Sequence, residues 1–460
     1  MLIDFVTRHG MAKNEKLLQP GYSRMTARSV CFAFLLTWLV VAPAAALNPD
    51  RRITRYILDA YGLERGLPQN TVNSVIQTRD GYLWVGTQEG LARFDGVNFE
   101  LFTTKNTPVF TSNFIQVLFQ DREERLWVGT NGGGVYLKDR KGWRRYDQKQ
   151  GLGSSVVMAF CQDHQGRIWL GAEDGLYYLE GERFLRKELS VGEKTFGVRA
   201  LLADPMGGLW VGTYGQGLYY IQGDKIFRHD RTQGLVDDVI ISLLKDASGR
   251  IWAGTYSSGL FYLDGDRWRQ AWSDSGQETN RIMALHRDRQ GSLWLGTYGG
   301  GLARYSRGRF EFWNEQSGFP SNIVMSIAED QEGNLWIGTL TAGLIQLRDG
   351  KFFTLGQREG LAAEVVMTIR EDSTGALWLG TTSGGLNRIR GEEITHFGKE
   401  QGLPSEQILS LQEGQGGRLL VGTNTGLAIW DGQRWETVSI PGRVKTPLVF
   451  TILEQEDGSI

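Results

Sequence analysis

Cysteine is almost missing from this chain. Two occur in 460 residues, Cys31 and Cys161. Cys31 lies in a segment expected to be cleaved off, so no disulfide framework can hold the exported chain. Cys161 falls in a strand-like run and reads as a small buried hydrophobe. Proline is scarce, at 10 residues, which excludes a collagen-like or linker composition. No block of five like charges occurs, the formal net charge is -2 and the sequence pI is about 6.3. A nucleic-acid binder needs a basic stripe, and none is present. The five histidines, His9, His164, His229, His286 and His396, show no metal-ligand spacing. Neither His-Glu-x-x-His nor Cys-x-x-Cys occurs, and no Gly-rich loop ends in Lys-Ser/Thr. No metal, no cofactor and no catalytic set is expected. Beyond residue 46 no long apolar run occurs, so a membrane contact is expected only through segments outside this chain.

Glycine, by contrast, is abundant, with 61 residues, and so are Trp, Tyr and Phe, with 15, 15 and 21. Many tight turns between short aromatic strands favour an all-β repeat fold. At the N-terminus, Val30 to Val41 form a short apolar run preceded by Arg24 and Arg28 and followed by Pro43-Ala44-Ala45-Ala46. That pattern is a secretory signal peptide over residues 25–46, cut after Ala46 and too short to span a bilayer. Residues 1–24 carry no such pattern. They read as an extension from a start taken too early, with Met25 the better initiator.

A period of 20 to 50 residues marks solenoids and propellers. Leu83-Trp84-Val85-Gly86-Thr87 recurs around Trp127, Trp169, Trp210, Trp252, Trp294, Trp336 and Trp378, and a ninth copy carries Leu420 at the Trp position. Successive spacings are 43, 42, 41, 42, 42, 42, 42 and 42 residues. Each unit reads as four strands, a to d, separated by Gly turns, which is the size of one propeller blade. The Gly two residues after each Trp predicts close approach of a neighbouring blade. The Trp predicts packing between blades. An Asp stands six residues before it at 121, 163, 204, 246, 288, 330 and 372, with Thr78 and Gly414 breaking the series. Seven equivalent carboxylates around a ring are turn formers that bond backbone amides rather than a catalytic pair.

The pattern Asp-x-x-Gly-x-Leu-Trp-Val-Gly-Thr, then Gly-Leu, then Gly-Leu-Pro (Gly66-Leu67-Pro68, Gly402-Leu403-Pro404, and Gly318-Phe319-Pro320 as a variant) resembles the two-component regulator propeller family over roughly residues 55–460. The resemblance implies the periplasmic sensor region of a receptor, typically two seven-bladed propellers. A β-sandwich, a transmembrane helix and a histidine kinase or diguanylate cyclase module typically follow. No phospho-accepting His box or cyclase signature lies in this chain, so the chain itself is expected not to be an enzyme. The expected architecture is all-β: a seven-bladed β-propeller over residues 47–350, then a partial second propeller over 351–460 that breaks off in its third blade, as a fragment does. Arg55-Tyr56-Ile57 reads as an orphan strand d that completes the seventh blade, and Phe352 to Leu355 as the orphan that opens the second ring. Against a single nine- or ten-bladed ring stands the usual range of four to eight blades.

The positions that vary between repeats point to a ligand. Four residues after the Trp, in the b–c loop, three successive blades carry Tyr214, Tyr256 and Tyr298. The d–a loops feed the same face with Asp238, Asn280 and Asn322, and Arg199 and Arg281 fall close by. Aromatic rings with amide and guanidinium groups suit a small polar ligand such as an oligosaccharide. The same Tyr arc could pack loops, and the Asn row could serve turns. The reading is a periplasmic ligand-sensing input region, homodimeric in the full receptor and anchored in the inner membrane. The alternatives are a secreted carbohydrate-active propeller enzyme and a protein-interaction scaffold.

Overall fold

Each repeat turns its short apolar run into one four-stranded antiparallel sheet. In the computed structural model the described residues are 47–189, 196–273, 280–350, 355–391, 393–438, 447–455 and 457–460. The signal segment lies outside them. The blade around Trp294 serves as the type: strand a Ile282–Arg287, b Leu293–Thr297, c Leu302–Ser306 and d Arg309–Trp313. Every residue of its strand b is buried, which is why strand b reads as an unbroken apolar run.

The a–b turn holds the blade together with one carboxylate. Asp288 Oδ1 accepts the Ser292 N–H at 2.8 Å, and Oδ2 accepts the Trp294 indole N–H at 2.7 Å. The indole bond recurs at Trp127–Asp121 (2.7 Å), Trp169–Asp163 (2.9 Å), Trp252–Asp246 (2.8 Å), Trp336–Asp330 (2.8 Å) and Trp378–Asp372 (2.8 Å). Thr78 Oγ1 takes the role for Trp84 at 3.1 Å. The turn expectation covered only the backbone half of this motif. A buried indole N–H needs an acceptor, and the six-residue spacing supplies it. Blade 4 departs from the rule: Asp204 binds Lys245 Nζ at 3.0 Å and the Tyr220 hydroxyl at 3.3 Å, and the Trp210 indole N–H is left without a partner.

The chain divides into two compact units at Asp349/Gly350. In the first, seven sheets stand side by side, and their strands a neighbour one another in a closed circle. Six sheets are built of consecutive strands. The seventh joins Val324–Glu329, Leu335–Thr339 and Leu344–Arg348 to the strand Ile57–Tyr61, with Asp59 opposite Gln346. The circle is sealed at the seam between blades 7 and 1. The Gln331 N–H donates to Gln77 Oε1 at 2.6 Å, as Arg79 N–H does to Gln120 Oε1 (3.0 Å) and Arg122 N–H to Gln162 Oε1 (2.9 Å) between other blades. At the same seam a Cβ on Gly338 would stand 2.6 Å from Val72 Cγ1 and 2.7 Å from the Val72 carbonyl, so only glycine fits.

Ahead of the closing strand, residues 47–56 lie against blades 6 and 7. Leu47, Ile53 and Tyr56 share one apolar cluster with Trp294, Leu302 and Leu347. The buried Arg304 guanidinium donates to the Tyr56 hydroxyl, the Arg51 carbonyl and Glu311, and Arg51 pairs with Asp349.

The second unit holds two described sheets. The first runs Val366–Glu371, Leu377–Thr381, Leu386–Arg390, Glu393–Phe397, and the second Ile408–Glu413, Leu419–Thr423, Gly426–Trp430, Trp435–Val438. Leu420, at the Trp position of the ninth repeat, is fully buried. Of the orphan strand expected at Phe352 to Leu355, residues 352–354 lie outside the described residues.

Candidate functional site

The closed circle of strands a surrounds a cavity of about 330 Å³ lined by all seven blades of the first unit. One residue of each strand a forms a layer around it: Asn73, Gln116, Met158, Arg199, Ile241, Met283 and Met325. The lining is otherwise apolar or neutral, and Arg199 is its one charged side chain among the described residues.

The three tyrosines reach the face fed by the b–c and d–a loops. Each is pinned by its own backbone. Tyr214 N–H donates to the Gly197 carbonyl (2.8 Å), Tyr256 N–H to Val239 (3.1 Å) and Tyr298 N–H to Arg281 (3.0 Å). Each of these three b–c loops is thereby tied to the residue that leads into strand a of the same blade. Glycines of the b–c loops make a second tie, now to the next blade: Gly215 N–H donates to the Asp238 carbonyl, Gly259 N–H to Asn280 and Gly299 N–H to Asn322. The tyrosines are thus mounted on a rigid rim.

Five of the eight expected residues meet there. The Tyr214 and Tyr256 rings sit edge to face, with centroids 6.3 Å apart. The Arg281 guanidinium carbon lies 3.8 Å from the Tyr256 ring centre and 4.5 Å from that of Tyr298. Arg199 lies 5.8 Å from the Tyr214 ring centre. Tyr214 is 53% exposed, so the cluster opens to solvent. Burial pushes the Arg199 pKa down, and the positive charge of Arg281 adds to that shift, while Tyr214 and Tyr256 oppose it. Arg281 Nε is buried with no hydrogen-bond partner. Arg199 Nη1 faces only the Met158 sulfur, at 3.8 Å. Among the described residues no carboxylate pairs with either guanidinium.

Of the remaining three, Asn322 and Asp238 have partners of their own. Asn322 Oδ1 accepts the Glu315 N–H at 2.9 Å, as Asn70 Oδ1 does for Leu63 (3.2 Å) and Asn113 Oδ1 for Thr104 (2.8 Å). Three amides of the row therefore secure d–a turns, the second of the two roles open to it on sequence grounds. Asn280 is buried. Asp238 stands 3.9 Å from Arg231 and offers its main-chain carbonyl to Gly215 and Gly217. Its neighbour Asp237, a buried carboxylate that the sequence did not single out, accepts Ser257 N–H (2.7 Å) and Ser257 Oγ (2.8 Å) and locks the b–c loop after Tyr256. An Asp preceding a strand gives no warning of that role.

Among the described residues no group of three or more His, Cys, Asp or Glu side chains could hold a metal ion. Cys161 is buried, and burial pushes its thiol pKa up, so it is not poised as a nucleophile.

Fold and site together define a β-propeller whose channel mouth is aromatic and positively charged. Segments 66–89, 110–132, 151–174, 234–257, 276–299 and 318–341 match the family model described as two component regulator propeller. Six of its repeats are thus two component regulator propeller repeats. Among solved structures it is similar to one described as the extracellular domain of a hybrid two component system from B. thetaiotaomicron. That similarity has 22% identity and a TM-score of 0.72, and it covers 85% of this chain and 55% of that one. This chain thus spans about half the length of that relative. It is also similar to a streptogramin B lyase (12% identity, TM-score 0.54, 65% of this chain and 99% of that one). A third similarity is to virginiamycin B lyase from Staphylococcus aureus (11%, 0.52, 64% and 99%). At these identities the likeness is one of fold. No curated protein sequence matches the chain.

Proposed function

We propose that this chain is the ligand-sensing input region of a bacterial membrane-bound signal-transduction receptor, exported to the periplasm. The observation that carries the reading is the rim cluster of Tyr214, Tyr256, Tyr298, Arg199 and Arg281. It is open to solvent, and its guanidiniums are unpaired, in a chain of two component regulator propeller repeats. Ordinary packing pairs a half-buried arginine with a carboxylate or carbonyl, whereas a binding site leaves its donors for the ligand.

In this reading the ligand is a small polar molecule of the oligosaccharide class, held by stacking on the tyrosines and by hydrogen bonds to the arginines. The output, a histidine kinase or diguanylate cyclase, lies on other segments of a homodimeric receptor anchored in the inner membrane. The described residues contain no helix long and apolar enough to cross a membrane.

Calorimetric titration with a panel of neutral and acidic oligosaccharides tests the site. One or more members bind the parent chain, and the Tyr256→Ala, Tyr298→Ala double variant weakens that binding by about tenfold or more, because each lost ring removes a stacking surface worth roughly 1 kcal/mol. Undiminished affinity in the double variant, with the fold intact by circular dichroism, contradicts the assignment. So does a panel in which nothing binds.

A further inference from the structure

We infer that the group recognised at the channel mouth is an anion, a carboxylate or sulfate on the ligand, and that Arg281 receives it edge-on. The inference rests on the reading of this cluster as a ligand site and adds the charge of what fills it.

Three observations carry it. The first is charge balance. Burial disfavours the charge of Arg199, and the neighbouring Arg281 guanidinium disfavours it further. Two half-buried cations with no counter-charge are costly, and the buried carboxylate that leads into blade 5, Asp237, is spent on Ser257. An anion supplied from outside removes that cost, and a neutral ligand leaves it in place.

The second is geometry. The Arg281 guanidinium lies over two rings from adjacent blades, Tyr256 and Tyr298, at 3.8 and 4.5 Å. Ring contacts of this kind use no N–H donor, so the donors of the guanidinium remain for a ligand. The guanidinium edge carries a fork of parallel donors whose spacing matches two oxygens of a carboxylate or sulfate. Nε belongs to that edge, and it is buried without a partner.

The third is the surrounding cavity. The layer that contains Arg199 is otherwise Asn73, Gln116, Met158, Ile241, Met283 and Met325, so no second charged side chain among the described residues lines the cavity beside Arg199. The low polarity strengthens any ion pair formed there.

The test compares three probes on the full chain by calorimetry: a galacturonate trisaccharide, a neutral galactose trisaccharide and inorganic sulfate. The expected result is that the galacturonate binds at least tenfold more tightly than the neutral sugar. Arg281→Gln should then cost roughly 10- to 100-fold for the galacturonate, the range of a lost charged hydrogen bond, and little for the neutral sugar. Arg281→Lys keeps the charge without the fork and falls between. Inorganic sulfate that displaces the galacturonate also supports the anion, and the ratio of the two affinities shows how much the sugar adds.

The neutral sugar binding as tightly as the galacturonate overturns the inference. So does galacturonate affinity unchanged by Arg281→Gln, or no acidic probe binding up to millimolar concentration. The failure of the charge and the failure of the site are separable. A neutral sugar that binds, ignores Arg281→Gln and is lost in the Tyr256→Ala, Tyr298→Ala variant removes the anion and leaves the site standing.

Discussion

A chain that lacks residues 47–62 will not hold the seven-sheet ring. Those residues contribute the fourth strand of blade 7, paired from Ile57 opposite Arg348 to Tyr61 opposite Leu344. They also place Leu47, Ile53 and Tyr56 in the cluster around Trp294. Removing three buried apolar side chains costs roughly 5–9 kcal/mol at 1.5–3 kcal/mol each. Arg304 is then left buried without the Tyr56 hydroxyl and the Arg51 carbonyl. The strand Leu344–Arg348 becomes an open edge, a template for pairing with another chain. A typical domain has only about 5–15 kcal/mol in hand. Urea denaturation followed by size-exclusion chromatography should show a truncated chain that is unfolded or aggregated without denaturant. A truncated chain that stays monomeric, with an unchanged midpoint, contradicts closure by this strand.

Trp294→Ala should be the most damaging single substitution among the repeat tryptophans. The Trp294 side chain is fully buried and sits in the cluster that joins blade 6 to blade 7 and to the N-terminal segment. Its loss leaves a cavity worth roughly 3–5 kcal/mol. Asp288, itself buried, then keeps a carboxylate oxygen with no indole donor, which adds to the cost. Trp210→Ala in blade 4 should cost less, because the Trp210 indole N–H makes no bond and Asp204 is held by Lys245 and Tyr220 whether or not the indole is present. Chemical denaturation of the two variants checks the order. Equal losses would show that the indole–carboxylate bond contributes nothing beyond packing.

The repeat was legible because its causes are local. A Trp every 42 residues or so, a Gly two positions later and an Asp six positions earlier sit within a dozen residues of one another. The strand alternation and the turns follow from those positions. A closing strand was legible for a similar reason, but its place was not: the sequence put it at Arg55-Tyr56-Ile57, and it forms at Ile57–Tyr61, after a 3-10 turn at Ile53–Arg55. Gly66-Leu67-Pro68 repeats the d–a junction seen between blades, so the strand before it has to be a strand d.

Contacts between repeats were far less visible. The Arg304–Tyr56 bond joins residues 248 apart, and nothing near either residue announces the other. The displacement of Asp204 from Trp210 depends on Lys245, 41 residues downstream, at a position that Gln77, Gln120 and Gln162 occupy in other blades. The tyrosine arc was visible as a run of identical positions. That Arg281 reaches both Tyr256 and Tyr298 was not, because it depends on how far adjacent blades turn about the axis. The Asn row was open to both ligand chemistry and turn chemistry. Only the bonds from Leu63, Thr104 and Glu315 N–H to Asn70, Asn113 and Asn322 separate the two.

The rim cluster is the centre of this account, and arginine footprinting reaches it most directly. The full chain is treated with phenylglyoxal, with and without a bound member of the oligosaccharide panel, and the modified arginines are located by mass spectrometry. The account predicts that ligand protects Arg281 and Arg199 while Arg140 and Arg289, on the opposite, a–b and c–d face, react as before. Protection of those two with Arg281 and Arg199 unaffected would contradict it and would place the ligand on the other side of the ring.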